Sequence, residues 1–158
     1  MNEEVWMKEA LNEAQKGLIC GEPPFGCLVV SPAGDIVVRS HDRVISDGDM
    51  SSHAETIAVR ETCRIEGTCQ LAGYQLVTTV EPCAMCFTTA WLNGITRIVY
   101  GATMQEIYEM TGGQQREMPI PVEEMNKRSG NTVELVSGIR REECIGIFQA
   151  YQFPPSLK

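Results

Sequence analysis

The chain has 158 residues, 43% hydrophobic and 22% charged, which excludes a disordered chain and suits one domain. Lys and Arg number 13 against 21 Asp and Glu, a formal net charge of −8. That balance opposes nucleic-acid binding, whose affinity comes largely from neutralised phosphates, and favours a soluble protein with a small-molecule substrate.

No apolar stretch approaches the ~20 residues of a membrane helix, so no membrane association is expected. The N-terminal Met-Asn-Glu-Glu-Val-Trp has neither the basic flank nor the apolar core of a signal peptide. The expected compartment is the cytoplasm, where disulfides are uncommon. The seven cysteines then read as thiols or metal ligands. The histidines are His41 and His53, so any site that needs imidazole draws on those two.

Residues 2–17 read as an amphipathic helix, with Val5, Trp6, Ala10, Leu11 and Ala14 at helical spacing and Gly17 as a stop. Gly26 to Val30 and Ile36 to Arg39 read as a hairpin joined by Pro32-Ala33-Gly34-Asp35. Residues 42–52 are loop-like, and a helix is expected from about Ser52 to Glu66. Gln75 to Val80 is a strand. Pro82 then suits the first turn of a helix ending near Gly94, because its missing N–H is not needed there. Ile95 to Tyr100 is a fourth strand, followed by a short helix from Thr103 to Met110. Residues 111–131 are irregular, with some helix near Val122 to Lys127, and are read as a surface loop or a functional lid. Val133 to Ser137 is a fifth strand, and Arg140 to Phe153 a final helix before Pro154-Pro155. This order predicts a mixed sheet with helices on both faces, the first two strands antiparallel and the later ones parallel.

Two segments carry chemistry: His53-Ala54-Glu55 and Pro82-Cys83-Ala84-Met85-Cys86. Cys83 and Cys86 share a helix face, in a first turn where the helix dipole favours thiolate. With His53 they make three ligands, which leaves a tetrahedral zinc one open position, the pattern of a catalytic site. His53 and Glu55 would be about 200° apart on a regular helix. They converge on one site only if His53 lies at the helix start, where Ser51-Ser52 offers a cap. Glu55 would then stay off the metal and shuttle protons, while zinc lowers the pKa of water. A closed structural site would need a fourth ligand from His41, Cys63 or Cys69, none of which has paired spacing. A redox Cys-x-x-Cys and a non-catalytic zinc module are the other readings. The second leaves Glu55 without a purpose.

His-x-Glu followed by Pro-Cys-x-x-Cys is the signature of zinc deaminases of nucleobases. The chain resembles the cytidine deaminase superfamily, in the branch of cytosine, guanine and tRNA adenosine deaminases. Pro24-Phe25-Gly26-Cys27, Thr79-Val80-Glu81-Pro82-Cys83-Ala84-Met85-Cys86 and Arg97-Ile98-Val99-Tyr100-Gly101-Ala102 follow in family order. The likeness is good over residues 5–103 and weak beyond. It implies a single deaminase domain over 1–158, a three-layer α/β/α fold on a five-stranded mixed sheet, one zinc per chain and a homodimer.

The resemblance also points to a substrate pocket walled by Asp42, Phe25, Ala54 and Glu81. The branch carries an Asn where this chain has Asp42, eleven residues ahead of His53. An Asn offers a donor and an acceptor, whereas an ionised Asp offers acceptors only, which suits a ring rich in N–H and amino donors. After Gly101-Ala102 the chain lacks the glycine- and alanine-rich signature of the tRNA enzymes, and its last 19 residues hold three basic groups against two acidic ones. The acidic residues that guanine deaminases place after the fourth strand are replaced by Thr111-Gly112-Gly113-Gln114. The expectation is therefore zinc-dependent hydrolytic deamination of a small free nucleobase or amino-heterocycle, with tRNA adenosine as the alternative.

Overall fold

Strand β1 (Gly26–Val30) is buried along its whole length, and the sheet is built outward from it. The structure is a computed structural model that describes residues 2–157. β1 pairs antiparallel with β2 (Ile36–His41) on one side and with β3 (Gln75–Val80) on the other. β3, β4 (Arg97–Ala102) and β5 (Glu134–Val136) run parallel, giving the order β2-β1-β3-β4-β5. The hairpin turns at Gly34, whose φ of +90° is a conformation that favours glycine.

Side chains alternate between the two faces, as a fully covered sheet requires. Leu28, Val30, Val77 and Val99 enter one core with Trp6, Met7 and Ala10 of α1 (Glu3–Ile19), Ile107 of α4 (Met104–Met110) and Cys144 of α6 (Arg141–Gly146). Cys27, Val29, Leu76 and Ile98 enter the other with Ala54, Ala58 and Val59 of α2 (Ala54–Glu66), Phe87 and Ala90 of α3 (Ala84–Leu92) and Val122 of α5 (Val122–Arg128). The result is the expected α/β/α sandwich on a five-stranded mixed sheet. No described helix is long and apolar enough to cross a membrane.

α1 lies very close to β1. A Cβ on Gly26 would stand 2.0 Å from the carbonyl oxygen of Ala10, so the helix rests on a position that only glycine can fill.

The C-terminal segment departs from the sequence reading. The helix expected over 140–153 ends at Gly146, continues as 3-10 turns over 147–150 and then becomes extended. Gly146 is a weak helix former, and Pro154 disfavours helical geometry at Phe153. The aromatics fold back instead. Phe148 meets Phe25 edge-on at 5.0 Å between ring centroids, and Phe153 stacks on Phe148 and receives the edge of Tyr151. This brings residues 153–157 over the end of the sheet where α2 and α3 begin.

Candidate active site

His53 and Cys83 hold equivalent positions, each the last extended residue before a helix. His53 precedes α2 at φ −73°, ψ 151°, and Cys83 precedes α3 at φ −66°, ψ 173°. Cys86 lies in the first turn of α3 and is fully buried. His53 at the N-cap, as the sequence required, turns its ring to the side on which Glu55 also projects. The cap itself comes from elsewhere. Ser51 and Ser52 bond within their own loop, Ser51 to Asp49 and Ser52 to Asp47. Asp42, just after β2, reaches across so that its Oδ1 accepts the Ala54 N–H at 2.7 Å, and Ser40 Oγ donates to the Ala54 carbonyl at 2.6 Å.

The donor set fits zinc. His53 Nδ1 stands 3.7 Å from Cys83 Sγ and 3.5 Å from Cys86 Sγ. A tetrahedral zinc with Zn–N near 2.1 Å and Zn–S near 2.3 Å places N and S about 3.6 Å apart. His53, Cys83 and Cys86 are the metal-capable group of three or more among the described residues, and neither His41, Cys63 nor Cys69 joins it. A three-ligand site leaves a tetrahedral position for a reactant.

The electrostatics agree with a thiolate-bearing site. Hydrogen bonding from the Cys86 thiol, then from His53, overcomes burial and draws the Cys83 thiol down to about 4. Burial works against a charged His53, but its hydrogen bond to Cys83 and the nearby Asp42 and Glu55 raise it to about 10. Burial pushes the Cys86 thiol well up.

Glu55 is buried, and its Oε1 accepts from Thr78 Oγ1 at 2.9 Å while the Cys86 thiol lies 3.4 Å from Oε2. Burial, reinforced by Cys83, raises its carboxyl above the usual range. Burial likewise raises Asp42, with His53 opposing. Glu81 is committed to the scaffold. One oxygen accepts the Met104 N–H at the start of α4, at 2.9 Å, and the other the Val122 N–H at the start of α5, at 2.6 Å. Ala54 contributes through its backbone, and Phe25 through its ring.

Phe25, Asp42, His53, Glu55, Glu81 and Cys83 line a cavity of about 30 Å³. Its remaining wall includes Gln115, Arg116 and Glu117 from the long loop and Phe153 and Leu157 from the C-terminal segment. A second space of about 300 Å³ shares His53, Cys83, Arg116, Glu117 and Leu157 as lining and is bounded also by Met85, Met118 and Ser156. Burial and the nearby Cys83 raise Glu117 to about 8. The sequence had marked 111–131 as a loop of open role without singling out Gln115 or Glu117. Between Gly112-Gly113 and Pro119, a polar triplet has the same appearance as a solvated turn.

Residues 1–102 match the family model of the cytidine and deoxycytidylate deaminase zinc-binding region. The chain belongs to the cytidine deaminase superfamily. It is a zinc-dependent deaminase, and thus a hydrolase. It is 34% identical over 149 residues to a tRNA-specific adenosine deaminase of Bacillus subtilis (strain 168), covering 94% of this chain and 88% of that one. Among solved structures it is similar to a tRNA:A34 deaminase that edits A to I at the wobble position of transfer RNA. The TM-score is 0.74 at 28% identity, over 90% of this chain and 98% of that one. It is also similar to the guanine deaminase of Bacillus subtilis, with a TM-score of 0.63 at 30% identity over 77% and 83% of the two chains. Relatives thus include enzymes on RNA and an enzyme named for a free base, within one superfamily.

Proposed function

We propose that this deaminase acts on a small free nucleobase or related amino-heterocycle, replacing a ring C–NH₂ with C=O and releasing ammonia. The observation that carries this reading is the cover over the inner cavity, formed by Phe153, Leu157 and the Gln115–Glu117 turn. A space of about 30 Å³ is far below the ~300–1,000 Å³ of a ligand pocket, so the cover must part and re-form around the ring. A free ring can be sealed in completely. A base joined to an RNA strand needs a path for its backbone through that cover, and the net charge of −8 opposes the strand's approach.

His53, Cys83 and Cys86 would hold the zinc, which when bound supplies Lewis-acid activation of water. Glu55 takes a proton from the attacking water, passes it to a ring nitrogen and returns a proton to the departing amine. Its raised pKa suits this role, because a carboxyl that holds a proton more firmly can also deliver one. Thr78 fixes one oxygen of Glu55 and leaves the other for transfer. Asp42 orients the ring with the oxygen not taken by Ala54, and Phe25 forms an apolar wall. Closure excludes water other than the reactant.

The second reading, deamination of adenosine in tRNA, is favoured by the identity to the tRNA-specific relative. Ammonia release from the zinc-loaded enzyme across guanine, cytosine, isocytosine, adenine, amino-triazines, their nucleosides and a tRNA anticodon stem-loop decides between them. Turnover of a small ring supports the proposal; silence on every ring with activity on the stem-loop refutes it. Glu55→Gln should keep the metal and lose turnover by at least about 100-fold. Persistent activity in that variant would contradict the mechanism.

A further inference from the structure

A residue that lines the inner cavity carries a polar atom that the protein leaves without a partner. Gln115 lines the cavity beside Asp42, His53 and Glu55. Its Nε2 donates to Glu117 Oε1. Its Oε1 is buried and has no hydrogen-bond partner among the described residues. A buried carbonyl left so is unfavourable by about 1–3 kcal/mol, and few are tolerated without a reason. At about 30 Å³ the cavity has room for only a water or two. When the cover parts to admit a ring, the ring can supply the donor that this oxygen lacks.

The surroundings indicate what kind of donor. Gln115 Oε1 is an acceptor. One oxygen of Asp42 is already taken by the Ala54 N–H, and its other oxygen remains. One oxygen of Glu55 is held by Thr78. Gln115 Oε1 thus offers an acceptor that needs no change of protonation, and the wall is backed by the apolar Phe25 and Phe153. A ring carrying only the amino group to be removed would leave Gln115 unpaired when bound. A ring with a further exocyclic amino group on its outer edge would pair it.

We infer that Gln115, held by Glu117, is a specificity-determining residue that selects heterocycles bearing a second exocyclic amino donor besides the leaving amine. This rests on the small-ring reading above. It assigns the loop over 111–121 a task in substrate choice as well as coverage. Sites that reject a ligand lacking a hydrogen-bonding group do so because their own buried polar atoms go unpaired.

The test uses the zinc-loaded Glu55→Gln enzyme, in which binding can be measured without turnover, with adenine and 2,6-diaminopurine as probes. The two rings differ by one amino donor. Calorimetric Kd values should favour 2,6-diaminopurine by about 5-fold or more, as 1–3 kcal/mol of pairing implies. Adding Gln115→Met, which keeps length and removes the acceptor, should collapse that ratio toward unity. Gln115→Ala, which adds no bulk, should do the same if the Met variant folds poorly. Zinc content and melting temperature report the fold of each. A ratio that survives both substitutions overturns the inference, as does an unmodified site that shows no preference. If neither these rings nor cytosine, guanine and amino-triazines bind, the small-ring reading itself has failed, an outcome distinct from binding with an unchanged ratio.

Discussion

Asp42 is the residue whose removal tests how the site is held together. Its Oδ1 accepts the Ala54 N–H at 2.7 Å, and both groups are buried. That N–H belongs to the first turn of α2, between His53 and Glu55, so the bond does the work of a helix cap from another segment of chain. In Asp42→Ala the N–H loses its partner. An unpaired buried donor is unfavourable by about 1–3 kcal/mol, and loss of a cap by about 1 kcal/mol, two descriptions of the same bond. Removing the carboxyl also relieves its burial beside Glu55 and Cys83, which pushes its pKa well up. The expected net loss is about 1–2 kcal/mol, or roughly 2–8 °C in melting temperature for a domain of this size. Asp42→Asn keeps an oxygen for the Ala54 N–H and should stay within about 1 kcal/mol of the parent. Thermal unfolding of the zinc-loaded variants, with metal content measured alongside, separates the two. Equal melting of Asp42→Ala and the parent, or an equal loss in both variants, would refute the capping argument. Substrate ranking in Asp42→Asn then tests the pocket role apart from stability, and an unchanged ranking would leave Asp42 purely a scaffold residue.

Gly26→Ala would drive a methyl to 2.0 Å from the Ala10 carbonyl oxygen and 2.6 Å from the Ala14 nitrogen. Both are helix backbone, so α1 must back off the sheet, and a loss of more than about 3 kcal/mol is expected by denaturant titration. A midpoint close to the parent's would show that α1 can shift freely. Glu117 gives a pH signature. Its folded pKa of about 8 lies above the ordinary 4.5, so the folded state holds this proton more firmly than the unfolded chain does. Its contribution is complete below about pH 4.5 and is lost as pH rises through about 8. Linkage allows a loss of up to about 5 kcal/mol, limited in practice by the free energy of opening the loop to solvate the carboxylate. In metal-free protein the stability of the parent relative to Glu117→Gln should therefore fall between those pH values. A constant difference would mean that the carboxyl is solvated.

Much of the molecule is legible in local residue patterns. The β-rich run from Gln75 to Val80, the turn at Gly34 and the spacing of Cys83 and Cys86 each depend on neighbours a few residues away, which is the range over which backbone geometry is set by sequence. The requirement that His53 sit before the helix could be stated from the angle between positions 53 and 55 alone.

What the sequence could not supply depends on distant partners. The cap on α2 comes from Asp42 rather than from adjacent Ser51 or Ser52, because the β2 end happens to lie against that helix start. Glu81, in a family motif beside Pro82, ties down the starts of α4 and α5, 23 and 41 residues along the chain. The final helix gives way to an aromatic fold-back because Phe148 finds Phe25, more than a hundred residues earlier. The sequence by itself determined the sheet and the set His53, Cys83, Cys86 and Glu55 that the fold brings together, since each rests on local spacing. Only the tertiary structure decided that Gln115, Glu117, Phe153 and Leu157 line the cavity, since their place there depends on packing between segments far apart in the chain.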